Sequence, residues 1–135
     1  MKIMLVFLSL ISLCSYAQEI PKFTNTIFVK GVSWKQVKTS LLHQGYAVAE
    51  ENEQHGTITT SPRECDKNDL REIVYNITVN DSIAKITGKY INNYGSRAVG
   101  DVEYWKSTVS AMHFIFLVMN DFAKSLPGDI SYAQL

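Results

Sequence analysis

The feature that most constrains this chain is the apolar periodicity around "AMHFIFLVMNDFA", Ala111 to Ala123. Val102, Trp105, Val109, Met112, Phe116, Met119, Ala123 and Leu126 recur three or four residues apart, with Ile115 and Phe122 beside them. Side chains at that spacing form one stripe on a helix, and a stripe of that width needs an apolar face to cover it. Asp101 suits the N-cap of such a helix, Glu103 would lie near its positive end, and "PG" at Pro127 and Gly128 would stop it. The spacing therefore predicts a helix from Val102 to Leu126, about 37 Å long at 1.5 Å per residue. A typical strand spans only about 17–20 Å, so this helix would overhang a sheet or cross it diagonally. A membrane span is excluded because Lys106, Asn120, Asp121 and Lys124 interrupt the segment, which falls short of the roughly 20 apolar residues a span needs.

The rest of the chain supplies the apolar face. "TNTIFVKG" reads as a first strand with Ile27 and Val29 on one side. In "VSWKQV" Ser33 precedes Gln36 by three residues, a capping box, and Val32 and Val37 are placed as a hydrophobic staple. Trp34, Val37 and Leu41 continue at helical spacing, and "HQGY" ends the helix with Gly45 in the left-handed position and Tyr46 beyond it. The expected helix runs from Trp34 to Gln44. "YAVAE" and "TITT" read as a short hairpin around Gly56. "REIVYNITVNDSIAKITGKY" reads as a longer one. With Asn80 and Asp81 as its turn, Val79 faces Ser82, Ile77 faces Ala84, Tyr75 faces Ile86 and Glu72 faces Lys89. That register gathers the apolar side chains on one face.

The expected fold is α+β: a five-stranded antiparallel sheet in the order β-α-β-β-β-β-α, with the short first helix and the long C-terminal helix on one face. The first strand would join an edge beside Ser82–Tyr90. The core would contain Trp34, Val37, Leu41, Tyr75, Ile77, Ile86, Trp105, Val109, Met112, Phe116 and Met119.

The N-terminus lies outside this plan. Lys2, the apolar run Ile3–Leu13 and the small residues of "SYA" have the layout of a secretory signal peptide cut after Ala17. The run is about half the length of a membrane anchor. Leu13 precedes Cys14 where a lipid-attachment box carries Gly, Ala or Ser. The chain thus divides into a signal peptide (1–17), a tether (18–23), one domain (24–126) and a tail (127–135), and is expected in the periplasm or outside the cell. Loss of Lys2 leaves one acidic side chain in excess, a formal charge of −1, which argues against non-specific nucleic-acid binding and against attachment to anionic lipid. Loss of Cys14 leaves Cys65 as the one cysteine of the mature chain, so an internal disulfide is excluded and a packed core must stabilise the fold.

No catalytic, cofactor or metal motif stands out. His43, His55 and His113 share no metal-ligand spacing with one another or with Cys65. "YGSRAVG" lacks the glycine spacing and the lysine of a phosphate loop. At 100° per residue Phe114 and Leu117 point away from the helical stripe. Three explanations stand for them: scattered exposure, cover by the first helix, or an apolar patch for a partner. Tyr94 and Arg97, in the loop around Gly95, are of the residue types that anchor interfaces. The candidate partner surface is Phe114, Leu117, Tyr94 and Arg97.

The segment "VSWKQVKTSLLHQGYAVAEENEQHGTITT", a capped helix followed by two short strands, resembles small exported bacterial domains in which a long C-terminal helix lies across an antiparallel sheet. These include domains of unknown function with a TATA-binding-protein-like fold and the helix-grip domains of the outer-membrane assembly lipoprotein BamC. The resemblance extends in pattern over residues 24–126 and implies an envelope protein that binds rather than catalyses. The expected function is a non-enzymatic envelope or secreted binding and assembly module, its partner another protein or a second copy of the chain. The alternative is a carrier of a small apolar or lipid-like ligand between helix and sheet, lined by Met112, Phe116, Met119 and Phe122.

Overall fold

The computed structural model describes residues 18–66 and 70–135; the expected signal peptide lies outside them. Ten elements follow one another: β1 (Thr26–Lys30), α1 (Trp34–His43), β2 (Val48–Asn52), β3 (Thr57–Thr60), β4 (Arg63–Glu64), β5 (Arg71–Asn80), β6 (Ile83–Asn92), β7 (Ala98–Asp101), α2 (Ala111–Ser125) and β8 (Asp129–Ala133). The fold is α+β, with every strand pairing antiparallel in one sheet. The sheet has eight strands rather than the expected five. Its path is β2-β3-β5-β6-β1-β8, with β4 joined to β5 and β7 to β6.

The local signals in α1 hold. Ser33 Oγ accepts from Gln36 N, the Gln36 side chain accepts from Ser33 N, and the helix opens at Trp34. Gly45 takes φ +82°, and Tyr46 N donates to Leu41 O at 2.9 Å, which satisfies the end carbonyls. Val37 and Leu41 are buried, whereas Trp34 is half-buried and lies against the edge of the core.

The long hairpin keeps the expected faces but not the expected partners. Asp81 and Ser82, both at positive φ, form the turn, and Asn80 pairs with Ile83. Moving the turn by one residue shifts every cross-strand partner by two and leaves each side chain on its own face. Ile77 therefore meets Ile86 rather than Ala84, and Glu72 meets Ile91 rather than Lys89. The shift has a non-local cause: Ser82 O accepts from both Gly31 N (2.7 Å) and Val32 N (3.1 Å), which pins the turn to the β1–α1 connection.

One row across the core face reads Ile58, Ile77, Ile86, Ile27, Tyr132, and the next Val79, Ala84, Val29, Ile130. Both helices cover this face, and their buried side chains join one core cluster with it. β1 lies between β6 and β8, not at an edge. Residues 129–133, expected as tail, are the strand that covers it.

The largest correction concerns α2, which begins at Ala111 rather than Val102. Ala98–Asp101 pairs with β6, Val102 N donates to Gly88 O, and Tyr104 N donates to Thr24 O. A backbone committed to these bonds is extended and cannot also be helical. The bond from Trp105 Nε1 to Glu103 Oε1 (2.9 Å) joins side chains two apart, which share a side on an extended chain and not on a helix. Ser110 is the cap, its side chain accepting from Met112 N. Fifteen residues give a helix of about 22 Å, which needs no overhang. Val102 stays in the core as an extended residue over Gly88, where a Cβ would stand 3.0 Å from both Val102 and Met119. Trp105 and Val109, expected in the core, are exposed.

Candidate functional site

The strongest candidate surface lies around the N-terminal end of α2. Val109 is 93 % exposed, Trp105 44 % and Phe114 38 %. His113 Nδ1 lies 2.6 Å from Trp105 O, which holds the Trp105 segment against the first turn of α2. Tyr104 turns the other way and packs on the rings of His113 (5.3 Å) and the buried Phe116 (5.2 Å). Three exposed apolar side chains thus lie within ten residues at this end of α2, next to Tyr104 and Phe116, which pack into the core.

The expected partner residues are distributed unevenly. Phe114 is one of these three, and Leu117, one turn along α2, is half-buried. Tyr94 (53 % exposed) and Arg97 are exposed in the loop between β6 and β7. No hydrogen bond or ring contact among the described residues joins Tyr94 or Arg97 to Phe114 or Leu117. The polar bridges between the two helices lie at the other end of α2, where Gln44 Nε2 donates to Ser125 Oγ (2.7 Å) and Ser40 Oγ stands 3.2 Å from it. Trp105 and Val109, which the helical spacing places in the core, are surface residues. The signal that could have found them is Ser110, a good N-cap immediately before Ala111.

The second surface is the uncovered face of the sheet. One row there reads Thr57, Thr78, Lys85, Phe28, Ser131, and beside it lie Thr59, Asn76 and Thr87. A cleft of about 310 Å³ lies along it, bounded by Asn25 and Leu135 on one side and Asp101 on the other, with Asn76, Lys85 and Thr87 among its lining. Lys89 and Asp101 form an exposed ion pair at its rim (3.3 Å). These side chains can hydrogen-bond a polar ligand, but they form no nucleophile–base pair.

The buried polar groups are structural. The Tyr46 and Tyr75 hydroxyls meet at 2.9 Å, and the Tyr75 ring stacks on Phe122 at 5.2 Å. Burial, with the neighbouring Tyr46 adding to it, drives the Tyr75 hydroxyl far above its ordinary pKa. Arg63 stacks on Tyr46 (4.4 Å) and donates from Nη1 to Gln44 O, closing the end of α1. Tyr132 donates to the buried Asn120 Oδ1 at 2.8 Å. Cys65 packs against the core, and its N–H donates to Arg71 O at 3.0 Å. Phe116, Met119 and Phe122 fill the space between α2 and the sheet, and Met112 is half-buried at its margin. Among the described residues no group of three His, Cys, Asp or Glu side chains is placed to hold a metal ion, and no helix is long and apolar enough to cross a membrane.

Compared with known proteins, the chain matches no family model and no curated protein.

Proposed function

We propose that the protein is a non-enzymatic binding or assembly module of the cell envelope or extracellular space, and that it meets a protein partner through the N-terminal end of α2. The observation that carries this is the exposure of Trp105, Val109 and Phe114 together, beside a core that is already closed beneath them. Large apolar side chains exposed on a surface favour a contact that removes them from water, each by the share still exposed of the roughly 1.5–3 kcal/mol that full burial gives, before the costs of association. The leader-like first 17 residues support export, and the resemblance to helix-grip envelope domains points the same way. The carrier alternative draws less support, because Phe116, Met119 and Phe122 are spent on packing against the sheet.

The test is the combined change Trp105→Ser, Val109→Ser and Phe114→Ser. Val109 is almost fully exposed and its change should cost no more than about 0.5 kcal/mol, whereas Trp105 and Phe114 keep more than half of their surface covered and should cost about 1–2 kcal/mol each, so far-ultraviolet circular dichroism should still report a folded chain. Partner capture, measured on immobilised protein against the unsubstituted chain, should fall at least about tenfold, the equivalent of 1.4 kcal/mol. Phe116→Ala serves as the contrasting variant: it removes a buried ring and should cost about 3–5 kcal/mol in urea unfolding. Undiminished capture by the triple variant, or its unfolding, would remove this surface from the proposal.

A further inference from the structure

The two edges of the sheet are built differently. Edge strands present unpaired N–H and C=O groups, and folded proteins blunt them with charges, prolines or bulges. The β2 edge carries such devices. Its register shifts between Val48 and Glu50, and it bears Glu50 and Glu51, the second paired with Lys38 at 2.8 Å. The β8 edge carries fewer of them. Its sequence, "DISYA", has no lysine, proline or bulge, and its one charge, Asp129, stands at the start beside Lys30 of β1. Among the described residues nothing pairs with its outer side.

We infer that β8 pairs antiparallel with β8 of a second copy of this chain, about a two-fold axis through Ser131. The side chains fit that arrangement. Ile130 and Tyr132 point to the helix-bearing face and are half-buried; Asp129, Ser131 and Ala133 point to the uncovered face. A two-fold axis perpendicular to the sheet keeps both faces in place and allows all five residues to overlap. Ser131 then meets its own counterpart, Ile130 meets Tyr132 at both ends, and Asp129 meets Ala133. Each half-buried apolar side chain gains an apolar neighbour in an aromatic–β-branched pair, a favourable cross-strand combination. No like charges meet, because the two Asp129 residues lie at opposite ends of the ladder. A one-residue slip would set Ile130 against Ser131 and turn the second copy's helices to the other face. A two-residue slip would give up part of the overlap. The product is a continuous sheet with an isologous interface, the commonest form of closed assembly. This interface shares no residue with Trp105, Val109 or Phe114, so its variants are distinct from those that test that surface.

Cysteine cross-linking and sedimentation test the inference. Directly opposed Cβ atoms in an antiparallel pair stand about 4.5–5.5 Å apart, close to disulfide range. The Ser131→Cys protein should form a covalent dimer under mild oxidation, with the bond mapped to residue 131 in both copies by peptide mass spectrometry. The Ala133→Cys protein should not, because its two copies would lie about 13 Å apart along the ladder. Sedimentation velocity should show concentration-dependent dimers of the unsubstituted protein. Ser131→Lys, which sets two ammonium groups face to face on the axis, should weaken association at least about tenfold with far-ultraviolet circular dichroism unchanged. A monomer at every concentration, a dimer indifferent to Ser131→Lys, or equal cross-linking at position 133 would overturn the inference. Capture of an extended peptide by a monomeric edge would overturn it too.

Discussion

Tyr75 is the residue on which the two halves of the core meet. It rises from the centre of β5, stacks on Phe122 of α2, and shares a hydroxyl hydrogen bond with Tyr46 at the end of α1. A phenol so placed keeps its proton far longer than one in an unfolded chain, because burial penalises the phenolate and Tyr46 offers it no positive charge. Tyr132 is shifted in the same direction by burial, against the opposing effect of its bond to Asn120. The linkage has a definite sign. A folded-state pKa above the unfolded value contributes stability that is complete below about pH 10 and declines above it, as the unfolded chain releases the proton first. Urea midpoints measured from about pH 8 to 11.5 should therefore hold level and then fall, and Tyr75→Phe should flatten the fall while lowering the midpoint at pH 8. An identical alkaline slope in the Tyr75→Phe protein would show that this hydroxyl titrates freely in the fold.

At the scale of elements, what the sequence made legible depended on how local the determinant was. The capping box at Ser33 and Gln36 and the glycine at position 45 act within a few residues, and α1 forms where they place it. The faces of β5 and β6 follow from a period of two, which survives an error in the turn. The turn itself was not legible, because Asn80, Asp81 and Ser82 all tolerate turn geometry, and the choice among them is made by Gly31 and Val32 from a distant part of the chain. The start of α2 failed for a related reason. The apolar spacing of Val102, Trp105 and Val109 fits a helix, but the ladder between β7 and β6 and the bonds from Tyr104 N to Thr24 O and from Phe23 N to Tyr104 O take that backbone first. Phe114 is legible because it lies inside α2; Trp105 and Val109 are not, because helical phase has no meaning for residues that the helix does not reach. The turn also yields a prediction. Ser82 sits at φ +59°, a conformation that costs an L-residue about 1–2 kcal/mol and glycine little. Ser82→Gly keeps the carbonyl that Gly31 and Val32 need, and should raise stability by up to about 1 kcal/mol in urea unfolding. A loss of stability would mean that the Ser82 side chain contributes more than its backbone strain costs.

At the scale of the molecule, an eight-stranded sheet carries two helices on one face and leaves the other face bare. The covered face is closed by apolar and aromatic side chains from β1, β3, β5, β6, β8 and both helices, and it spends Phe116, Met119 and Phe122 on that closure. What remains for recognition lies outside: the apolar side chains at the start of α2, the polar cleft of the uncovered face, and the β8 edge. On the proposed function these surfaces do the binding and no molecule is carried between helix and sheet. Native mass spectrometry of the protein, purified gently from its own cell without detergent, tests that most directly. The expected spectrum is bare polypeptide, as monomer, dimer or protein complex, with a chain mass that begins at Gln18. A lipid-sized mass that stays with the folded chain and leaves only on unfolding would contradict it.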